Sequence, residues 1–311
     1  MIEKFEEGPK PLKKVVLQFT MEVEARPFLT DYSDRYFLET LPEDNPLIAE
    51  FGYSLYSSGE RLKSGVELIV VITGKGPEEV DRVGTIDASL MAERIRSFLQ
   101  PDLFINAGTA GYVVGSEDEF LDDSAFPYLV IANEVCAFDR RVPGDEKWQN
   151  FARRPTSAGI IASSYLAKSL DCKIATLGSS DSFYLRKKEA AALLTSEIRH
   201  VDMEAIGVAV AIASHTPVMF IKVVGNCNGY KLQEKSAKQY NSTHEKTVAK
   251  LSSGLARLID FVAGKTLSEV SAPSSNSDLS FFAKPSSSSA FIDGDQTNMT
   301  SRAKDSNVPL R

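Results

Sequence analysis

The sequence predicts an α/β protein built on a central, mixed and twisted sheet that helices flank. Two observations lead to this prediction. Short apolar runs alternate along the chain with segments whose apolar residues recur at helical spacing. This alternation extends over about 250 residues, which is the size of one α/β domain. In such sheets the loops at the carboxyl ends of the strands usually carry the functional site.

Each predicted element has its own local reason. A buried apolar run opens the fold, and two strands around a polar turn follow it. Val83, Ile86, Leu90, Ile95 and Leu99 lie at helical spacing, and a long amphipathic helix closes the fold. The predicted strands are 15–19, 53–58, 66–73, 103–106, 128–134, 172–177 and 218–224, and the predicted helices are 80–99, 205–214 and 234–262.

The composition changes near the carboxyl end of the chain. From residue 271 onward, 11 of 41 residues are serine and the apolar pattern is lost. Such a segment buries too little apolar surface to offset its ordering entropy. We therefore expect a loose leader over 1–13, a single domain over 14–265, and a Ser-rich disordered tail over 266–311.

Charge and cysteine content exclude several classes of function. With 35 basic and 42 acidic residues the net charge is −7, which argues against binding nucleic acid or an anionic membrane. No apolar run is long enough to span a membrane. Cys136, Cys172 and Cys227 are too far apart for a disulfide framework or a zinc knuckle, which indicates a reducing compartment. We expect a cytoplasmic protein without a metal or an organic cofactor.

Two strand ends carry acidic residues. Glu22 and Glu24 directly follow the first strand, where carboxylates either cap a helix through its dipole or face a site. Asp202 and Glu204 flank Met203 before an apolar helix, and Asp202 alone is typical of an N-cap.

Two further strand ends carry small or aromatic residues. The strand at 103–106 runs into Ala-Gly-Thr-Ala-Gly, which is either a tight turn or a backbone that a ligand approaches closely, with Thr109 as a donor. Phe183 and Tyr184 follow a serine-rich turn around Asp181. These two aromatic residues belong either to the core or to a wall on which a base stacks.

Taken together and in this order, the four segments resemble the nucleoside phosphorylase superfamily. They are most similar to the 5′-methylthioadenosine/S-adenosylhomocysteine nucleosidases, especially the plant branch. The resemblance covers about residues 14–265 and includes the loop Asp139-Arg-Arg-Val-Pro143. It implies a purine nucleosidase of methionine salvage that acts as a homodimer.

The resemblance also implies catalytic roles. Glu24 matches the carboxylate that orients and deprotonates the attacking water, and it would stabilise the oxocarbenium-like transition state. Asp202 matches a residue that supports this water, and Thr109 matches the hydroxyl residue beside it.

Four more residues match the family's substrate-binding positions. Glu204 would accept hydrogen bonds from the ribose 2′ and 3′ hydroxyls, and Met203 would pack on the ribose. Phe183 would stack on the purine, and the backbone of Tyr184 would contact the edge of the base.

One residue departs from the family pattern. Asn226 stands where the family has an aspartate that protonates or hydrogen-bonds nitrogen 7 of adenine, and an amide has no proton to supply. Three interpretations stay open: a nucleosidase of the methylthioadenosine type, a hydrolase or phosphorylase of 6-oxopurine nucleosides, and a nucleoside-binding or storage-type protein without catalysis. Water is favoured over phosphate as the nucleophile, because Glu24 would repel an anion.

Overall fold

The computed structural model describes residues 11–272, apart from residues 63, 77 and 141. The strands in this part of the chain are β1 (Lys14–Phe19), β2 (Glu39–Thr40), β3 (Ser54–Ser57), β4 (Glu67–Ile72), β5 (Leu103–Val114), β6 (Tyr128–Ala137), β7 (Cys172–Ser179), β8 (His200–Asp202) and β9 (Val218–Gly229). The helices are α1 (Glu22–Tyr36), α2 (Pro46–Ala49), α3 (Thr85–Leu99), α4 (Glu146–Arg153), α5 (Ser164–Leu170), α6 (Lys187–Thr195), α7 (Ala205–Ile212), α8 (Gln233–Val262) and α9 (Leu267–Ser271).

These strands form one mixed sheet in the order β2-β3-β4-β1-β5-β8-β7-β6-β9. Strand β9 pairs antiparallel with β6 and parallel with β5, so the strands from β5 to β9 close into a barrel-like ring. Closure leaves this part of the sheet without an open edge. The predicted α/β class with a central mixed sheet between helices is confirmed.

Apolar side chains fill both faces of the sheet. Neighbouring residues of one strand point to opposite faces, so Phe104 and Ile105 of β5 belong to different clusters. The cluster around Phe104 includes residues of α3 and α7, whereas the cluster around Ile105 includes residues of α1, α5 and α8. Strands buried on both faces explain the continuous apolar runs in the sequence.

Two predicted element boundaries are wrong, and both errors lie near the pocket described below. The glycine-rich segment after Asn106 is not a loop, because β5 continues through it and pairs with β9 as far as Gly229. Helix α3 begins at Thr85 rather than Val80, since Gly84 has a φ of 114°, which no α-helix accommodates.

The expected domain boundaries also shift at both ends. Leu12 is buried and its N–H donates to the carbonyl of Lys265, so the packed region begins before residue 14. Thr266 caps α9 and Val270 is fully buried, which extends the folded region beyond residue 265. The rest of the expected leader and the expected tail from residue 273 lie outside the described residues. Within the described ranges, no helix is long and apolar enough to cross a membrane.

Candidate active site

A pocket of about 410 Å³ opens at the carboxyl ends of β1, β8 and β9 and at the middle of β5. The first turn of α1, the segment before α3, the loop after β7 and the amino-terminal half of α8 complete its walls. Seven of the eight candidate site residues line it: Glu24, Thr109, Phe183, Asp202, Met203, Glu204 and Asn226. The pocket therefore joins residues that are up to about 200 positions apart in the chain.

A buried lysine occupies the centre of the charged side of this pocket. The Nζ of Lys222 lies 2.9 Å from Oδ2 of Asp202 and 3.4 Å from Oε2 of Glu204, and the lysine side chain is 1% exposed. Burial alone would lower the pKa of Lys222, but the charges of Asp202, Glu204 and Glu24 raise it above the usual value for a lysine. The ammonium group is therefore held in its charged form among three carboxylates.

Lys222 did not emerge from the sequence as a candidate. Its signal is nevertheless present, because Lys222 is the single charged residue in the apolar run from Val218 to Val224. A lysine in a strand that is buried on both faces requires a partner of opposite charge. This reasoning would have linked Lys222 to the acidic residues at the other strand ends.

The carboxylate of Glu24 lies inside the pocket and does not only cap α1. Its Oε1 accepts a hydrogen bond of 2.8 Å from the backbone N–H of Thr109. A Cβ placed on Gly108 would lie 3.2 Å from Oε2 of Glu24 and 3.3 Å from Nζ of Lys222, so both charged groups pack closely against this glycine. Burial raises the pKa of Glu24, while the charge of Lys222 and hydrogen bonds from Thr109 oppose the shift.

Asp202 has a different environment from the one expected. Its side chain is 0% exposed, and it accepts hydrogen bonds from the hydroxyl of Ser179 and from the N–H of Ala205 at the start of α7. Together with the ion pair to Lys222, these contacts occupy both oxygens. Asp202 thus anchors Lys222 and caps α7 while it also lines the pocket, and its expected support of a water in the site stays a prediction.

Glu204 is the more accessible member of this acidic pair. Its side chain is 11% exposed and lines the pocket while its Oε2 faces Lys222. Burial raises the pKa of Glu204 to about 7; the charge of Lys222 opposes this shift, and the charges of Asp202 and Glu24 add to it. The carboxyl group is thus placed to accept hydrogen bonds from a ligand and titrates near neutrality.

The opposite side of the pocket is aromatic. Phe183 is 38% exposed, and its carbonyl accepts a hydrogen bond of 2.9 Å from Nδ2 of Asn228. Its ring lies edge-to-face against that of Tyr240, a residue of α8 that the sequence did not single out. Burial raises the pKa of Tyr240 to about 12, so its hydroxyl remains protonated.

Tyr184 is not part of the pocket wall. Its side chain is exposed, its ring packs against Phe183, and its carbonyl accepts a hydrogen bond from the hydroxyl of Ser182. The expected contact between the backbone of Tyr184 and a base stays a prediction, with one donor already on the carbonyl.

The amide of Asn226 has a fixed orientation at the base of this wall. Its Nδ2 donates a hydrogen bond of 2.9 Å to the carbonyl of Cys227. The N–H of Cys227 in turn donates to Oε1 of Gln239, which fixes the strand at this point. Since the described residues give Oδ1 of Asn226 no donor, the amide presents a hydrogen-bond acceptor to the pocket.

A closed mixed sheet, a carboxylate beside a buried lysine and an aromatic wall define an α/β protein with a small-molecule site. No protein-family model matches the chain. It is 28% identical over 264 residues to a 5′-methylthioadenosine nucleosidase of Arabidopsis thaliana, with 84% of this chain and 91% of that protein covered.

Two further comparisons agree with this likeness. The chain is 26% identical over 266 residues to an Arabidopsis thaliana 5′-methylthioadenosine/S-adenosylhomocysteine nucleosidase, with 84% of this chain and 96% of that protein covered. A solved structure of an MTA/SAH nucleosidase matches with a TM-score of 0.71 at 25% identity, over 84% of this chain and 100% of that one. The resemblance is confirmed: the chain is a relative of the methylthioadenosine/S-adenosylhomocysteine nucleosidases and shares their fold.

Proposed function

We propose that this protein is an N-glycosyl hydrolase that cleaves purine nucleosides of the 5′-methylthioadenosine/S-adenosylhomocysteine type. One observation carries the proposal: Glu24, Glu204 and Phe183 line one pocket, and the ammonium of the buried Lys222 lies against Glu204. These residues lie on four separate segments, and their convergence provides a base, a ribose site and a stacking surface at once. The curated relatives are nucleosidases, which supports the same reaction class.

Glu24 acts as the general base in this proposal. The N–H of Thr109 holds one oxygen of the carboxylate in place, and the carboxylate orients a water molecule. The water oxygen bonds to C1′ of the ribose as the bond from C1′ to the base breaks, and Glu24 accepts the water proton. A buried carboxylate also stabilises the positive charge that develops on the sugar.

Lys222 and Glu204 hold the ribose side of the reaction. Glu204 accepts hydrogen bonds from the ribose hydroxyls in its ionised form, and the Lys222 ammonium favours that form. Asp202 keeps Lys222 in place through an ion pair of 2.9 Å. Glu204 and Lys222 therefore act together in binding the ribose.

Asn226 determines how the base is held as it leaves. An adenine ring stacked on Phe183 can donate a hydrogen bond from its 6-amino group to Oδ1 of Asn226, whereas a 6-oxopurine presents only acceptors at that edge. This orientation does not favour the 6-oxopurine alternative. Because an amide has no proton to give, the departing adenine takes its proton from solvent.

The charge of the site favours water over phosphate as the nucleophile. Three carboxylates face a single lysine, so an incoming dianion would meet an excess of negative charge. A neutral water meets no such repulsion. The phosphorolysis alternative is therefore not favoured.

Base release from a panel of nucleosides tests the proposed function. Methylthioadenosine, S-adenosylhomocysteine, adenosine, inosine and guanosine are incubated with the full chain, with and without phosphate. We expect adenine release from the first two, independent of phosphate. Binding without any base release would instead identify a non-catalytic nucleoside-binding protein, and no binding at all would reject the site.

A matched pair of variants tests the role of Glu24. Glu24→Gln keeps the acceptor for the Thr109 N–H but removes the base, and we expect a loss in kcat of about 10²- to 10⁴-fold with little change in affinity. Glu22→Gln, in the same helical turn, alters an exposed carboxylate that pairs with Arg26, and its activity should match the wild type. Equal losses in both variants would contradict the assignment.

We also propose that the chain forms a homodimer. Val80, Ile86 and Leu90 are 65%, 71% and 50% exposed and lie beside Val83, which lines the pocket. Covering these apolar side chains with a second copy would stabilise the pair. Light scattering should give twice the monomer mass, and Ile86→Lys should give a monomer.

The proposal includes a cytoplasmic location and a place in methionine salvage. Cys136, Cys172 and Cys227 are free, and two of them are buried, as is usual in a reducing compartment. Cell fractionation tests the location, and accumulation of methylthioadenosine in cells without the protein tests the pathway.

A further inference from the structure

Asp181 connects two loops that border the pocket. Its Oδ1 accepts a hydrogen bond from the backbone N–H of Thr85, and its Oδ2 accepts one of 2.9 Å from the Thr85 hydroxyl. Asp181 belongs to the loop that carries Phe183, whereas Thr85 begins α3 directly after the segment that carries Val83. Both carboxylate oxygens are thus used to join the two loops.

The amino end of α3 is itself fixed against the helix that follows Glu204. A Cβ on Gly207 of α7 would lie 2.1 Å from the carbonyl oxygen of Thr85, so the two backbones are in direct contact. Ser89 adds hydrogen bonds to the carbonyls of both Thr85 and Gly207. Thr85 therefore has a defined position relative to the ribose side of the pocket.

Two other contacts hold the loop of Asp181. The N–H of Asp181 donates to Oδ2 of Asp139 at 3.2 Å, and Asn228 donates to the carbonyl of Phe183. Gly84 completes the junction, because a Cβ there would lie 2.9 Å from Oδ1 of Asp181. The loop that carries the stacking ring is thus tied to α3 at one end and to β9 at the other.

We propose that Asp181 is a positioning residue, which holds Phe183 at a fixed distance from Glu204 through Thr85 and Gly207. Asp181 does not line the pocket, so it affects the nucleoside only through the loop that it anchors. The inference rests on the proposed function and extends it: the distance between the base-stacking ring and the ribose carboxylate is set outside the pocket. Losing the anchor weakens binding of the base and leaves the chemistry at C1′ unchanged.

The test compares Asp181→Ala with Asp181→Asn in the full chain. We expect Asp181→Ala to raise KM for methylthioadenosine about tenfold, equivalent to about 1.4 kcal/mol, with kcat within about twofold of the wild type. Asp181→Asn should restore most of the affinity, since its Oδ1 accepts from the Thr85 N–H and its amide donates to the Thr85 hydroxyl. A merely structural defect would lower kcat, or the amount of folded protein, without this rescue.

Thr85→Val tests the same hydrogen bonds from the side of the donor, Thr85. It removes the hydroxyl bond but keeps the backbone N–H, so its effect should not add to that of Asp181→Ala. Asn45→Ala is the matched control, because Asn45 caps α2 through the N–H of Leu47 and touches no pocket residue. KM should be unchanged in this control.

Hydrogen exchange separates this proposal from the proposed function. Asp181→Ala should increase exchange in residues 82–85 and in residues 182–184 together, whether or not the wild type cleaves a nucleoside. An increase in residues 82–85 alone would show that Asp181 is an ordinary helix cap and would overturn the proposal. An unchanged KM in Asp181→Ala of an active enzyme would also overturn it.

Discussion

Replacing Lys222 by methionine tests how the charged centre of the pocket is stabilised. The Lys222→Met variant keeps most of the side-chain volume and removes the one ammonium that faces Asp202 and Glu204. The buried carboxylates then lose their compensating charge. Breaking a buried ion pair from one side costs about 3–5 kcal/mol of unfolding free energy.

The loss of unfolding free energy in Lys222→Met depends on pH, and the direction of this dependence follows from the carboxylates. Lys222 has a pKa raised above 10.5, so in the wild type its stabilisation is fully present throughout pH 5–8. In the variant, Glu24 and Glu204 lose the charge that opposes their raised pKa values and take up protons more readily as the pH falls. Protonation relieves the uncompensated charge, so the variant is expected to be less destabilised at pH 5 than at pH 8.

Urea denaturation at the two pH values measures this difference. Lys235→Met is the control, because Lys235 lies 3.4 Å from Glu117, the same separation as Lys222 from Glu204, but at the surface. Its loss should be within about 1 kcal/mol at either pH. A loss below about 1 kcal/mol for Lys222→Met, or an equal loss at both pH values, would refute the reasoning.

Three further predictions concern packing, pH and the amide. Gly207→Ala would place a Cβ 2.1 Å from the carbonyl oxygen of Thr85, so thermal denaturation should show a loss of about 1–3 kcal/mol of unfolding free energy. The control is Gly76→Ala, whose Cβ would lie 3.4 Å from its nearest neighbour and which should retain the wild-type melting temperature. Because Glu204 must be ionised to accept ribose hydrogen bonds, kcat/KM should fall as the pH drops below about 7; a pH profile should show this decline, and Glu204→Gln should leave only the decline caused by protonation of the base Glu24. Because the pKa of Glu204 is raised, the folded protein binds this proton more tightly than the unfolded chain does. The resulting contribution to stability is present below about pH 4.5 and is lost as the pH rises through 7. Asn226→Asp restores a proton donor and should raise the rate of methylthioadenosine cleavage by up to about 10²-fold; an unchanged rate in a folded variant would show that the acid is supplied elsewhere.

Much of the pocket was predictable because strand ends in an α/β sheet lie close together. Glu24, Glu204 and Asn226 each follow or end a buried strand in the sequence, and the structure brings them to one cavity. The strand order was not predictable, since pairing β9 with both β5 and β6 depends on contacts between distant segments. No local pattern specifies such a closure.

The errors have local physical causes. Gly108 lies in a segment of small residues that is typical of a loop, yet it pairs with Lys222 of β9, and the preceding Ala107 pairs with β1. The partner of Asp202 was missed, because nothing near Asp202 in the sequence points to Lys222, the buried lysine that pairs with it. The side chain of Tyr184 is exposed, because the hydroxyl of Ser182 donates to the carbonyl of Tyr184 and closes a tight turn around Phe183.

The long helix α8 has a consequence for divergence among related proteins. Its 30 residues extend about 45 Å, with Ala237, Tyr240 and Asn241 at the pocket and Leu255 and Leu258 fully buried in the apolar core. The two ends are several turns apart, so substitutions at the pocket end leave core packing untouched. Ligand preference can therefore change in evolution through the first turns of α8, while the last turns maintain the fold. Residues under selection for specificity are in this way separate from residues under selection for stability.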